Sequence, residues 1–141
     1  MTRVLAFVVG IVVGLGLYLG WYAAQPNDHW FRVRTITVSD GKAGGPITLA
    51  VDRTIYRPFR ARWIATVRKL TPDGLETSCI GRGENDYHPG AALPRPLTIG
   101  YWLNNTCVLE PGQYRLTTLW TIEAWPSDRD VRAESNVFRV E

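Results

Sequence analysis

The sequence has few of the residues on which catalytic and metal sites most often depend. Its 141 residues include two histidines, two cysteines and one methionine. Only His29 and His88 could act as bases near neutral pH. Neither cysteine has a second Cys or His at the spacing that structural zinc sites use, and no nucleophile motif or glycine-rich phosphate loop is present. We therefore expect a protein that is not an enzyme and that has no cofactor and no metal site.

Strong charge of one sign is also missing. Lys and Arg total 16 and Asp and Glu total 13, which gives a net charge of +3. These charges are scattered along the chain, so we do not expect a nucleic-acid-binding protein. Residues 1–24 contain 18 of the apolar residues, and the remaining 117 residues are only about 39% apolar. A chain of this length predicts one modest domain in addition to that apolar segment.

The apolar segment has the properties of a membrane anchor. Residues 4–24 carry no charge, and as a helix they would be about 31 Å long, which matches a hydrocarbon core of about 30 Å. Tyr18, Trp21 and Tyr22 lie at its distal end, where amphipathic rings favour the headgroup level. We expect a short tail at 1–3, a transmembrane anchor in contact with the lipid bilayer at 4–24, and a juxtamembrane linker at 25–30.

A cleaved signal peptide is the alternative interpretation of this segment. Cleavage after Ala24 or Ala23 would place Tyr22 or Trp21 where a small side chain is expected, and the apolar run is too long. Positive charges on both sides of the segment leave its orientation undecided. The two cysteines and the short N-terminal tail favour a cytoplasmic tail with the C-terminal domain outside the cytoplasm, in the periplasm of a bacterium.

Glycines recur along the anchor at small-xxx-small spacing, which allows two helices to approach closely. Gly10 pairs with Gly14, and Gly16 pairs with Gly20, but the two pairs fall on different sides of a helix. A homo-oligomer formed through the anchor is one interpretation; the general abundance of glycine in membrane helices is the other.

Beyond residue 30 the apolar residues alternate with polar ones, which is typical of β-strands. The longest alternating runs are Phe59 to Val67 and Tyr114 to Ile122. Further strands are predicted at 31–38, 47–51, 75–80, 97–103 and 136–140, and 81–96 is predicted to be a long polar loop. About seven strands at 31–141 predict an all-β, two-sheet sandwich preceded by one transmembrane helix.

One short motif adds to this prediction. Residues 110–116, with the sequence EPGQYRL, resemble the tyrosine corner of immunoglobulin-like sandwiches, in which Tyr114 would open the penultimate strand. The resemblance implies an immunoglobulin-like fold, with Trp63 as a buried tryptophan. Leu116 stands where antibody domains have their second intersheet cysteine, so the antibody-type disulfide is absent. The layout is similar to that of small membrane-anchored envelope proteins of bacteria and phages.

Cys79 and Cys107 are the two cysteines, 28 positions apart. In an exported domain we expect them to form a disulfide, which would close the loop that contains 81–96 and contribute about 3–4 kcal/mol. Two buried thiols in a cytoplasmic domain are the alternative.

Three groups of side chains are candidate sites. The first two would bind a protein or an anionic partner at the envelope: arginines on or near the third strand, and two tryptophans predicted to point outward. The third is a cluster of polar side chains in 81–96 that could hold a ligand or a cation. In order, the three groups are Arg57, Arg60, Arg62 and Arg68; Trp102 and Trp125; and Glu84, Asp86, Tyr87 and His88.

These features favour a non-catalytic, membrane-tethered β-sandwich that binds or scaffolds a partner at the cell envelope. Two alternatives remain open. One is a small enzyme or a ligand- or metal-binding protein that uses the 81–96 loop. The other is a structural subunit of a virion or an envelope.

Overall fold

The computed structural model describes residues 2–141, with side chains from Val4 onward. It is a mostly β structure that follows an N-terminal helix. The elements are α1 (Thr2–Ala23), a 3-10 turn (Asn27–His29), β1 (Phe31–Val38), β2 (Leu49–Ile55), β3 (Phe59–Thr71), β4 (Gly74–Tyr87), α2 (Ile99–Trp102), β5 (Gly112–Ile122) and β6 (Arg129–Val140).

Helix α1 projects from the β domain, which it meets at its C-terminal end. Val4–Ala23 has a mean hydropathy of 2.3, and none of this stretch is buried inside the protein. The helix is therefore long enough and apolar enough to span a membrane. Thr2 and Arg3, which were expected in a tail, are helical, and Met1 lies outside the described residues.

The six strands form one mixed sheet in the order β2-β1-β6-β5-β3-β4. Neighbouring strands are antiparallel except for β1 and β6, which are parallel and meet at Ile36 and Ser135. Next to that pair, the Asn136 side chain accepts a hydrogen bond from the Val38 amide at 2.7 Å and donates one to the Val38 carbonyl at 3.0 Å. Because β6 pairs with both β1 and β5, all six strands belong to one sheet, and the predicted two-sheet sandwich is not confirmed.

The sheet curls until its two edge strands approach each other. In a flat sheet β2 and β4 would be about 24 Å apart, since five strand spacings separate them. Instead, the Arg53 guanidinium of β2 lies 5.6 Å from the centre of the Tyr87 ring of β4. Phe31 of β1 also packs on Tyr87, with 6.0 Å between ring centres. The concave side of the sheet therefore encloses the hydrophobic core.

The strand predictions hold best where apolar and polar residues alternate. In β3, Ala61, Trp63, Ala65 and Val67 are buried, and in β5 every second residue from Tyr114 to Ile122 is buried. The prediction of a loop at 81–96 is wrong for its first seven residues, because β4 continues to Tyr87 in register with β3. The strand expected at 136–140 is longer and begins at Arg129.

The strand predicted at 97–103 is also wrong, so the sheet has six strands rather than seven. Thr98 forms a single bridge to Thr48, and the chain then turns into the short helix α2. From Ile99 to Leu103, the buried residues are Ile99, Trp102 and Leu103. Their spacing is that of one helix face.

The segment 97–107 covers part of both sheet edges. At the start of β2, the Leu49 amide donates to Leu97 O, and just before this strand Ile47 O accepts from the Ile99 amide, each at 2.9 Å. On β4, the backbone of Trp102 and Leu103 lies against Gly81, where no side chain would fit. Cys79 and Cys107 form the predicted disulfide, with 6.0 Å between their Cα atoms. The polypeptide thus protects edges that would otherwise be open to pairing.

Candidate functional site

The convex side of the sheet, which we call the outer face, is a regular surface of the β domain. Its central rows follow from the strand register, because residues directly opposite each other share a face. One row contains Arg82, Ile64, Leu119 and Arg132, in the order β4, β3, β5 and β6. The adjoining rows place Glu84, Arg62 and Thr121 on one side of it, and Ile80, Thr66 and Thr117 on the other.

Isoleucines on β3 and on the edge strand β4 give the outer face an apolar patch. Ile64 is 37% exposed and Ile80 is 49% exposed, and the partly exposed Leu119 lies opposite Ile64. A shallow groove of about 490 Å³ lies beside Ile64 and is lined by Arg62, Trp63, Ile64, Arg82, Gly83, Glu84 and Thr121. Apolar centres with polar and charged surroundings are the usual anatomy of protein interfaces.

Two of the predicted arginines are ion-paired within the chain. Arg60 contacts Glu84, and Arg62 contacts Asp128 at 3.0 Å. The hydrogen bond from Arg60 to Glu84 and the charge of that carboxylate raise the pKa of the arginine. These carboxylates reduce the positive potential that a polyanion would meet at the outer face.

The other two predicted arginines lie elsewhere. Arg68 is half-buried and lies directly opposite Arg115 on β5, on the far side of a register shift from the central rows. Arg57 lies in the turn between β2 and β3, beside Asp28, His29 and Tyr56. The structure therefore does not bring the four arginines together into one basic surface.

The two predicted tryptophans differ in exposure: one is buried and the other is exposed. Trp102 is 5% exposed and packs edge-on against Trp120, with 6.1 Å between ring centres, so the prediction that it points outward is wrong. The physical reason is α2, which turns Trp102 toward the core. Trp125 is 61% exposed, as predicted, but it lies 6.4 Å from Tyr22 at the end of α1 rather than beside Trp102.

The polar side chains expected to form a ligand loop diverge. Because Glu84, Asp86 and Tyr87 belong to β4, the alternation of the strand places Tyr87 on the face opposite to that of Glu84 and Asp86. Glu84 and Asp86 are exposed, whereas Tyr87 is buried and stacks on Phe59 with 4.9 Å between ring centres. Burial also raises the pKa of the Tyr87 phenol. His88 follows the strand and is exposed.

In the part of the chain that the structure describes, no group of three His, Cys, Asp or Glu side chains could hold a metal ion. The anchor glycines Gly10, Gly14, Gly16 and Gly20 face open space, and a partner for them stays a prediction.

The tyrosine motif has the hydrogen bond that defines a tyrosine corner. Tyr114 is 1% exposed, and its hydroxyl donates to the Glu110 carbonyl, four residues upstream, at 2.7 Å. Trp63 is buried, as the resemblance implied, and its ring lies over Gly83 on β4. These two local features are confirmed.

Ile64 and Ile80 were not among the predicted site residues. The signal for Ile64 was present, because it is an apolar residue on the polar side of an alternating strand. Ile80 is the last residue of the strand predicted at 75–80. The residues beside it on the outer face are known only from the pairing of β3 with β4.

Comparisons of the chain with models of known protein families, with curated protein sequences and with solved structures find no match.

Proposed function

We propose that this protein is a membrane-tethered, non-catalytic β domain that binds a protein partner at the cell envelope through its outer face. The observation that carries the proposal is the combination of an apolar helix with no burial in the protein and an uncovered sheet face on which Ile64 of β3 and Ile80 of β4 are exposed. Tethering would confine that face near the bilayer and raise its effective concentration for a neighbouring partner.

The anchor is supported by length and by exposure. Val4–Ala23 is 20 residues long, which corresponds to about 30 Å of helix and matches the hydrocarbon core of a bilayer. Aliphatic side chains along α1 are exposed, including Leu5 at 66% and Leu17 at 71%. Water would be an unfavourable solvent for this surface, whereas lipid would not.

The disulfide supports an exported domain. Disulfides persist in oxidising compartments such as the periplasm and the cell exterior and are rare in the cytoplasm. The Cys79–Cys107 bridge fixes the segment that covers both sheet edges. Because such a bridge needs an oxidising compartment to persist, we assign the β domain to the side of the membrane outside the cytoplasm.

A protein of mixed charge fits the outer face better than a polyanion does. Arg60 and Arg62 already have carboxylate partners, so an anionic polymer would have to compete with them. A protein surface can instead cover the isoleucines and extend the alternating charges around them.

An immunoglobulin-like layout remains part of the proposal. It is supported by the hydrogen bond between Tyr114 and Glu110 and by the way the sheet folds over Phe31. Both features are typical of two packed layers around one core.

The binding proposal can be tested by crosslinking in the native membrane. A photoreactive amino acid placed at position 64 or 80 should give one defined protein adduct, and the same group at Val108, which is 78% exposed, should not. Ile64→Asp and Ile80→Asp should weaken the isolated complex at least tenfold, because a charge would then be buried in the interface. Val108→Asp is the matched control.

Three results would contradict the proposal. Equal crosslinking from positions 64 and 108 would exclude a specific outer-face partner. A ladder of stoichiometric adducts with coat or envelope subunits would favour the structural-subunit alternative. Binding that survives Ile64→Asp but is lost in Asp86→Asn or His88→Ala would favour the ligand-binding alternative.

A further inference from the structure

The loop between β5 and β6 lies at the same end of the domain as the helix. Strand β1 starts directly after the α1 connection, and the β2–β3 turn and the β5–β6 loop lie at that end because of the strand register. The opposite end contains the β3–β4 turn and the start of β5. If α1 spans a bilayer, the β5–β6 loop therefore faces the membrane.

Aromatic side chains from two distant parts of the sequence meet at this end. The Tyr22 ring lies 6.2 Å from Tyr18 on the same helix and 6.4 Å from Trp125 in the β5–β6 loop. Trp125 is 61% exposed, and the neighbouring Trp21 is 70% exposed. These four residues, Tyr18, Trp21, Tyr22 and Trp125, form what we call the aromatic collar.

Hydrogen bonds hold the end of α1 against the β domain. The Arg129 guanidinium donates to the carbonyl of Ala23, the last residue of α1, at 2.6 Å. The Asn27 side chain donates to the Asp130 carbonyl at 2.9 Å. A cation at the C-terminus of a helix also complements the helix dipole. The height of Trp125 relative to Tyr22 is therefore set by the protein and does not depend on a loose linker.

We propose that Trp125 inserts into the headgroup region of the bilayer beside Tyr22, so that the aromatic collar docks this end of the β domain onto the lipid surface. The inference rests on the proposed function, since it requires α1 to span the membrane. Tyr22 is the penultimate residue of the helix, at the level where the span leaves the hydrocarbon core. Trp125 contacts Tyr22 and thus occupies the same depth.

Lipid is the occupant that the surroundings of Trp125 favour. Tryptophan has an apolar ring body and a polar N–H, which suits the boundary between acyl chains and headgroups. The exposed ring is continuous with the lipid-facing surface of α1 through Tyr22. Docking would orient the β domain, and with it the outer face, at a fixed tilt relative to the membrane.

The test uses the full chain in phosphatidylcholine and phosphatidylglycerol vesicles. A thiol-reactive, environment-sensitive fluorophore is placed at Trp125→Cys, at Trp21→Cys as the buried-in-lipid control, and at Val108→Cys as the control for the membrane-distal end. The native cysteines are protected by their disulfide. Ser127→Cys, an exposed position in the same loop, provides a second reporter if Trp125→Cys does not fold.

Lipids brominated near the headgroup should quench the fluorophores at positions 125 and 21 to a similar extent and leave position 108 unchanged. If position 21 is quenched while positions 125 and 127 behave like position 108, docking is wrong and the anchor stands. If position 21 is also unquenched, the helix is not in the bilayer and the proposed function fails as well.

Discussion

Tyr114 connects a turn to the core through a single hydroxyl group. Its ring is buried against Phe138, with 5.9 Å between ring centres, and its hydroxyl donates to the Glu110 carbonyl at 2.7 Å. The hydrogen bond fixes the entry of β5, the strand that lies between β3 and β6. A local motif of seven residues thus determines where a central strand begins.

Removing that hydroxyl should have a measurable cost. Tyr114→Phe keeps the buried ring but leaves the Glu110 carbonyl without its partner, so we expect the free energy of unfolding to fall by about 1 kcal/mol. Urea unfolding followed by circular dichroism measures the change. Tyr56→Phe, at an exposed tyrosine, is the control and should change little. Equal effects of the two substitutions would contradict the structural role of the corner.

Among single residues, the sequence identified the charged and aromatic candidates but not their partners. The ion pair between Arg62 and Asp128 joins positions 66 apart in the chain. Nothing in the local pattern of β3 indicates such a partner. The burial of Trp102 has the same origin, because it depends on a helical turn that packs on Trp120.

At the scale of elements, segment 97–107 performs two tasks at once. It pairs with β2 through Leu97 and Ile99, and it contacts β4 through the backbone of Trp102 beside Gly81. The disulfide then fixes the end of the segment to the same strand. A substitution at the contact with Gly81 should therefore loosen the cover of both edges.

Gly81→Ala tests this contact. The added methyl group would overlap the Trp102 carbonyl oxygen and the Leu103 backbone, so the segment would have to move away from β4. We expect a loss of about 1–3 kcal/mol in the free energy of unfolding, as for overpacked cores. Thermal and urea unfolding measure it, with Ser78→Ala, an exposed position on the same strand, as the control. An unchanged stability would show that the segment is not tightly packed there.

Elements with strict alternation were predictable, and so was β1 at 31–38, whereas α2 and the full lengths of β4 and β6 were not. The alternation in β3 and β5 predicts both strands, because each buries one face. Residues 81–87 look like a loop, since glycine and charged residues dominate them, yet thirteen backbone pairings to β3 hold β4 as a strand. The parallel contact of β1 with β6 is a property of the whole sheet, and local sequence patterns contain no information on it.

At the scale of the whole molecule, the chain consists of an exposed apolar helix and a curled sheet that meet at one hydrogen-bonded junction. The composition of 4–24 predicts the helix without reference to anything else in the chain. The junction needed three-dimensional information, because Arg129 and Trp125 are about a hundred residues from the helix end that they contact. The orientation of the outer face relative to α1 follows from that junction.

If α1 anchors the β domain on the outside of the cytoplasmic membrane, as we propose, Val108→Cys should be accessible to a thiol reagent in intact cells. Val108 is 78% exposed at the membrane-distal end, and the native cysteines are paired. We expect a membrane-impermeant maleimide to label this variant without lysis, because the β domain lies outside the cytoplasm in our proposal. We also expect the labelled protein to stay in the membrane pellet after an alkaline carbonate wash, because α1 anchors it. Labelling that requires lysis, or release of the labelled protein by the wash, would contradict it.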